Sequence, residues 1–175
     1  MAFLAKKNNP ELTWLEKPVA NTEAVVGMKK GSTELLNQVN ACIDELKSDG
    51  TLDDMRNRWY NMDNPNYTMP DIPLPKEGKP ILIGIATDNE PSMFLAGNGD
   101  VIGLDGELAR RIAKYMNRPL EFVDMKLDAF PTALASGKVD MVISNFIMTE
   151  QLKETVDASH PYFDTPFVVI VKKGK

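Results

Sequence analysis

Cysteine and histidine are almost absent from the sequence, which contains one of each, Cys42 and His160. A lone cysteine cannot form a disulfide within the chain, and no CxxC zinc site or histidine-pair metal site can be assembled. Long apolar runs are also absent, because the run at residues 167–171 is far shorter than the roughly 20 residues that span a bilayer. We therefore expect no metal, no cofactor and no membrane span.

The charge pattern also excludes a class of partner. The chain has 20 Lys and Arg against 25 Asp and Glu, which gives a formal net charge of -5, and the two signs are interspersed. Nucleic-acid binding requires a concentrated basic face, so this function is excluded. The first seven residues lack the charged-then-apolar order of a secretory signal, so export cannot be read from the chain itself.

A proline- and asparagine-rich segment divides the chain. Residues 61–79 contain four prolines and several Asn and Asp side chains, which is typical of an extended connector. Residues 1–60 precede it and residues 80–175 follow it. In the first part, residues 24–28 predict one strand. A helix is predicted from the N-cap Ser32 to Gly50, and a short helix at 52–60 follows.

The second part alternates between strand and helix patterns. An apolar run at residues 81–86 is typical of a strand buried on both faces. The predicted elements are strand 81–86, helix 104–116, strand 120–123, helix 128–134 and strand 139–143. This order favours a parallel sheet. A short helix from Thr149 and a strand at 167–171 complete the prediction.

Several sequence segments of this part resemble a known family. They are ILIGIATDNEPSMF, VIGLDGELARRIAKYM, SGKVDMVIS and FIMTEQLKETVDASHPYFDTPFVVIVKK. Together and in this order they resemble the opening lobe of the family 3 extracellular solute-binding proteins, whose members bind polar amino acids for ABC transporters. The earlier segment, VVGMKKGSTELLNQVNACIDELKSDGTLDDMRNRWY, resembles the closing segment of the same lobe.

The order of the two segments is reversed relative to the family, and the second lobe is almost wholly missing. Either a tandem protein cut between modules or a permuted single lobe would have this order. The resemblance implies an α/β fold, one lobe of a type II periplasmic binding protein. Its sheet would be mostly parallel and five-stranded, with one antiparallel strand and flanking helices. The two parts would fold together in one chain or by exchange in a domain-swapped dimer.

The resemblance also implies a ligand cleft at loops 88–94, 125–130 and 145–153. The candidate ligand-binding residues are Asp88, Asn89, Glu90, Leu127, Asn145, Phe146 and Thr149. Asp88 would accept a hydrogen bond from a ligand amine, or it caps its loop. Thr149 is equally an N-cap candidate. Phe146 is either a ring against the ligand or a core residue.

Two family features are missing from this sequence. The arginine that binds the ligand carboxylate corresponds to Leu152, and the usual aromatic after the second strand corresponds to Leu127. Loss of a buried charged hydrogen bond of this kind costs roughly 2 to 5 kcal/mol. An ordinary free α-amino acid is therefore disfavoured as the ligand.

We expect a binding module that captures a small polar solute, pairs with a second lobe and delivers the solute to an ABC permease. Its expected location is periplasmic or extracellular, with a membrane anchor in the full-length protein. A sensory or interaction lobe without a ligand is one alternative. A dehydratase-like enzyme using Asp88 and Glu90 is another, although no acid/base pair is fixed and no catalytic residue is assigned.

Overall fold

The computed structural model describes residue 5 and residues 8–61 and 67–173. The α-helices are α1 (Thr33–Ser48), α2 (Thr51–Tyr60), α3 (Leu104–Tyr115) and α4 (Phe130–Ser136). Short 3-10 helices lie at Leu127–Ala129 and Leu152–Glu154. Within these described ranges, every helix is too short or too polar to cross a membrane.

Among the described residues, the strands form a central five-stranded sheet, one three-stranded sheet and two pairs. In the first part they are β1 (Leu12–Trp14), β2 (Ala20–Ala24) and β3 (Gly27–Lys29). Those between the connector and α4 are β4 (Ile81–Ile85), β5 (Asp88–Asn89), β6 (Met93–Leu95), β7 (Val101–Ile102) and β8 (Leu120–Asp124). The remainder are β9 (Met141–Val142), β10 (Val156–Ala158), β11 (Phe163–Phe167) and β12 (Ile170–Lys172).

The central sheet has the order β10-β3-β9-β4-β8. Strand β4 pairs in parallel with both β8 and β9, whereas β3 pairs antiparallel with β9 and β10. The predicted α/β fold with a mostly parallel five-stranded sheet and one antiparallel strand is confirmed. The antiparallel strand is the one that comes from the first part of the chain.

Strand β3 lies between two strands of the second part. Gly27 and Met28 face Val142 and Met141 on one side, and the other side pairs with β10. Removing β3 would therefore separate β10 from the rest of the sheet and leave buried backbone groups without partners.

Apolar residues cover both faces of the sheet. Met141 belongs to a core cluster that includes residues of α1, α2 and α3, whereas the next residue, Val142, belongs to a second cluster with α4. Successive side chains of a strand point to opposite faces, which explains this division. The buried run at β4 is consistent with a strand covered on both sides.

The helix predictions agree with the structure except at Thr149. Helix α1 begins directly after Ser32, and Gly50 adopts the left-handed conformation with φ 82° between α1 and α2. Helix α4 ends at Ser136, and the next residue, Gly137, has a φ of 72°. The helix expected from Thr149 is a single 3-10 turn at Leu152–Glu154.

Two strand predictions are corrected. The predicted strand at 24–28 is divided between β2 and β3, because Val25 donates to the Phe146 carbonyl and Val26 donates to the Ser159 hydroxyl. The apolar run at 167–171 is outside the central sheet. Its residues contribute to β11 and β12, and the fifth strand of the sheet is β10.

We call the pairs β2–β11 and β1–β12 the ribbon. Both pairs are antiparallel and join the start of the chain to its last described residues. Large apolar side chains are exposed along it, and these are Leu15, Val19, Phe167, Val169 and Ile170. The apolar run at 167–171 therefore marks an uncovered surface rather than a buried strand.

The later part of the connector packs against the first core cluster. Residues 62–66 lie outside the described residues. Tyr67 stacks on Trp59 with 6.0 Å between ring centroids and contacts Phe94 edge-on at 5.5 Å. Met69 and Leu74 also pack against the first core cluster. The segment from 67 to 79 is thus extended but docked.

Candidate functional site

An open groove lies where two parallel strands end. Strand β4 ends at Ile85 and its neighbour β8 ends at Asp124. The groove has a volume of about 640 Å³ and is lined by Ala86, Thr87, Asp88, Asp124, Met125, Lys126, Leu127 and Asp128. Ligand sites of α/β sheets form outside the carboxyl ends of the strands. Three carboxylates against one ammonium make the lining net acidic.

The first predicted loop is a β-hairpin. Asp88 and Asn89 form β5 and pair with Phe94 and Met93 of β6. Asp88 is exposed and lines the groove. The neighbouring Thr87 donates a hydrogen bond from Oγ1 to Asp124 Oδ2 at 3.1 Å, which links the ends of the two strands.

Glu90 lies in the turn between β5 and β6 and interacts with the connector. Burial, followed by the charge of Glu90, raises the pKa of the Tyr67 hydroxyl to about 12. This carboxylate therefore faces a docked aromatic side chain. Of the two acids that a dehydratase-like enzyme would use, Asp88 lines the groove, whereas Glu90 contacts Tyr67.

Leu127 lies in the second loop, where it lines the groove with 51% of its surface exposed. It begins the 3-10 turn that leads into α4. Lys126 and Asp128 flank it. This aliphatic side chain offers an apolar contact without a ring face for stacking.

Asn145 is held by hydrogen bonds at its backbone and its side chain. It adopts a positive φ of 49°. Its N–H donates to Asp105 Oδ2 at 2.6 Å, and its Oδ1 accepts a hydrogen bond from Thr165 Oγ1 at 2.8 Å. The loop after β9 is therefore fixed to helix α3 and strand β11.

Phe146 lies in the second core cluster, where only 8% of its surface is exposed. Its ring packs against Phe130 with 6.2 Å between centroids. A Cβ atom added at Gly27 would lie 2.7 Å from the Phe146 ring. This burial leaves the ring little surface for a ligand and matches the alternative interpretation as a core residue.

Thr149 and Leu152 belong to the third loop. The exposed Thr149 accepts a long hydrogen bond of 3.4 Å from the Leu152 N–H through its Oγ1, as an N-cap residue does. Leu152 is partly buried and packs against the second core cluster. No cationic side chain thus occupies position 152.

A buried polar cluster next to Asn145 was not found from the sequence. Asp105 is 1% exposed and accepts a hydrogen bond from Tyr162 Oη at 2.8 Å in addition to that from Asn145. Burial raises the pKa of Asp105 to about 7, although both hydrogen bonds oppose this shift. Burial, followed by the charge of Asp105, raises the pKa of Tyr162 well above its usual range.

Neither a metal centre nor a histidine site is built from the described side chains. Within residues 5, 8–61 and 67–173, no group of three His, Cys, Asp or Glu side chains could hold a metal ion. His160 is exposed, and its Nδ1 lies 2.9 Å from Asp44 Oδ1. Cys42 is buried, and burial raises the pKa of its thiol to about 12. It is a core residue.

Comparison with known proteins gives one matching family and several relatives. The family model described as bacterial extracellular solute-binding proteins, family 3, matches residues 1–62 and 81–175. A "Probable histidine-binding protein" of Neisseria gonorrhoeae is 34% identical over 103 residues, which are 59% of this chain and 38% of that protein. An arginine-binding extracellular protein of Bacillus subtilis is 33% identical over 95 residues, or 54% and 37% of the two chains.

Solved structures are also similar. A point mutant of domain 1 of the T. maritima protein TmArgBP, in its arginine-bound form, is 30% identical with a TM-score of 0.46. The match covers 69% of this chain and 71% of that domain. By contrast, this chain spans less than two fifths of the length of the two curated relatives named above.

Proposed function

The chain belongs to the bacterial extracellular solute-binding proteins, family 3, and we propose that it is one lobe of a module that captures a small polar solute. The observation that carries this proposal is the groove at the ends of β4 and β8, lined by the exposed Asp88. Asp88, Asn89, Glu90, Leu127, Asn145 and Thr149 are the proposed ligand residues, with Asp88 and Leu127 lining the groove. Phe146 supports the loop from the core.

We further propose that the solute carries a positive charge. Asp88, Asp124 and Asp128 outnumber Lys126 in the lining. An acidic groove attracts a cation and repels a free carboxylate. Two relatives carry names that refer to binding of arginine and histidine, which supports the same class of ligand.

The carboxylate of an amino acid would lack its usual partner. The family resemblance places Leu152 at the position of the carboxylate-binding arginine, and this leucine packs against the second core cluster. A leucine offers no fork of N–H donors for a carboxylate. The groove should therefore recognise a guanidinium or amine group without a strong requirement for an α-carboxylate.

Calorimetry and thermal shift with L-arginine and agmatine test this proposal. Agmatine keeps the guanidinium and lacks the carboxylate. We expect the two dissociation constants to agree within about threefold, which is less than 1 kcal/mol. Either ligand at 100 times its dissociation constant adds about 2.7 kcal/mol of stability. A preference for L-arginine over agmatine of more than about thirtyfold would contradict the proposal that the groove does not bind the α-carboxylate.

A lobe that binds a protein instead of a solute is the second candidate. The exposed apolar side chains of the ribbon favour it, because contiguous apolar surface marks interaction sites. Absence of any thermal shift with arginine, agmatine, histidine and lysine would support this candidate over the first. We propose no catalytic role, since the described groove contains no fixed acid/base pair.

The role of the whole protein is also a proposal. We infer that a second lobe closes over the groove by hinge motion and that the module delivers its solute to an ABC permease outside the cytoplasm. A membrane anchor in the full-length protein would keep it there. Light scattering would decide whether this chain is a monomer or a domain-swapped dimer.

A further inference from the structure

The loop after β9 and the strand β11 are joined at one residue. Asn145 accepts a hydrogen bond from Thr165 of β11 through its Oδ1 at 2.8 Å. Its N–H donates to Asp105 at 2.6 Å, and the other carboxylate oxygen of Asp105 accepts from Tyr162 Oη at 2.8 Å. Two routes therefore connect this loop to the start of β11, one direct and one through Asp105.

Both routes consist of hydrogen bonds between polar atoms that are held in defined positions. Asp105 is buried, and an ionised carboxylate can accept from two donors at once. Asn145 has a positive φ of 49°, a conformation that is uncommon for non-glycine residues and persists where the surroundings hold it. The bond to Asp105 supplies such a restraint at the backbone of this residue.

The position of β11 indicates what the two hydrogen-bonded routes to the loop after β9 can do. Strand β11 lies outside the central sheet and pairs with β2 in the ribbon. The backbone amides of Tyr162 and Ser159 bond to Ala24 and Val26, so the start of β11 is anchored beside the sheet. A change in the direction of β11 would reach Asn145 through Thr165 and through Tyr162.

We propose that Asp105 is a positioning residue that, together with Thr165, couples the geometry of the Asn145 loop to the direction of strand β11. This inference rests on the proposed function, because it makes the coupling part of ligand capture at the groove. Asp105 does not contact the ligand in this scheme. It sets the backbone of a loop that does.

Amide hydrogen exchange in the variants Asp105→Ala and Asp105→Asn tests the route through Asp105. The asparagine side chain can still accept from the Asn145 N–H while its NH₂ group donates to Tyr162 Oη. We expect Asn145 exchange to accelerate at least tenfold in D105A and less than threefold in D105N. The amides of β4 provide the internal reference for global stability. Equal protection of Asn145 in D105A and wild type, relative to β4, would overturn the proposal.

The variants Tyr162→Phe and Thr165→Val test the coupling. Each alone leaves one route intact, so Asn145 exchange should rise less than threefold. The double variant should show a rise of at least tenfold, more than the product of the single effects. Thr22→Val is the matched control, because the Thr22 hydroxyl donates to the Thr165 carbonyl at 2.8 Å within the ribbon. If the double variant does not fold, an effect of T165V no larger than that of T22V overturns the coupling.

Ligand titration separates this proposal from the proposed function. With L-arginine and agmatine as probes, the Y162F/T165V variant should bind at least tenfold more weakly than wild type. If wild type binds neither probe, the proposed function fails, and the exchange measurements still decide the coupling. Unchanged affinity in the double variant, with wild type binding, would contradict the inference.

Discussion

The Trp59 indole donates a hydrogen bond to the Glu107 carboxylate, with 2.8 Å between Nε1 and Oε2. Both side chains are fully buried. Trp59 lies in α2 before the connector and Glu107 lies in α3 after it. Arg58 and Arg111 also contact this carboxylate, at 2.9 and 2.7 Å. A buried charge of the second part is thus satisfied partly by the first part.

Replacing Glu107 by alanine should strongly destabilise the protein. It would leave the Trp59 N–H buried without its acceptor and two arginines without their shared carboxylate. Removal of one partner from such a buried group costs about 3 to 5 kcal/mol. Urea unfolding measures this loss. Glu45→Ala, at an exposed position of α1, is the control and should change stability by about 0.5 kcal/mol or less. A similar effect of both variants would contradict the account.

Asp105 should make stability depend on pH. Burial raises its pKa from the ordinary value of about 3.9 to about 7 in the folded protein. Between these values the folded state keeps a proton that the unfolded chain releases, so this group makes stability fall as pH rises from 4 to 7.

The size of this effect is on the order of 1 kcal/mol for each pH unit in that window. Subtracting the pH profile of Asp105→Asn from that of wild type isolates it, since other groups titrate in both proteins. The difference between the two profiles should change most steeply between pH 4 and 7 and become constant above pH 7. Parallel profiles would show that burial does not raise this pKa.

Gly27 and Phe146 should be energetically coupled across the two parts of the chain. A Cβ at Gly27 would lie 2.7 Å from the Phe146 ring and 2.8 Å from Val142. Gly27→Ala should therefore cost about 1 to 3 kcal/mol by overpacking. Phe146→Leu should relieve part of this cost in the double variant. Gly97→Ala is the control, because nothing lies within 4 Å of its added Cβ. Additive effects of G27A and F146L would contradict the packing described.

The strands with strong apolar patterns were predictable from the sequence. The run at 81–86 contains β4. A continuous apolar segment is typical of a strand that is covered on both faces, and β4 is such a strand. The same argument failed at 167–171. Residues such as Phe167 and Ile170 are 49% and 40% exposed, and local composition does not show whether a covering element is present.

The sequence did not predict the structure of residues that are stabilised by contacts far away along the chain. Strand β10 has the sequence VDA, which carries little strand signal, and it is fixed by pairing with β3 and by Asp157, which binds Lys30 and the Gly31 N–H. In the sequence, Asp105 looks like an ordinary acidic residue in the first turn of a helix. Its burial depends on Asn145 and Tyr162, which are 40 and 57 positions away along the chain.

Asp88 should contribute to binding of a cationic solute. Asp88→Asn removes one negative charge from the groove and keeps the size of the side chain. Loss of a partly exposed charge contact weakens binding by roughly tenfold, or about 1.4 kcal/mol. Titration calorimetry with agmatine measures the change. Asp71→Asn, an exposed position of the connector, is the control and should not alter affinity. Equal affinity of D88N and wild type would exclude Asp88 as a ligand contact.

The account depends on β3 of the first part pairing with strands of the second part. Nuclear Overhauser contacts between backbone protons test this pairing directly, because paired antiparallel residues lie about 4.5 to 5.5 Å apart between Cα atoms. We expect contacts from Gly27 and Met28 to Val142 and Met141, and from Lys29 to Val156. Their absence, with strand signals retained at β4 and β8, would show that the two parts do not share a sheet.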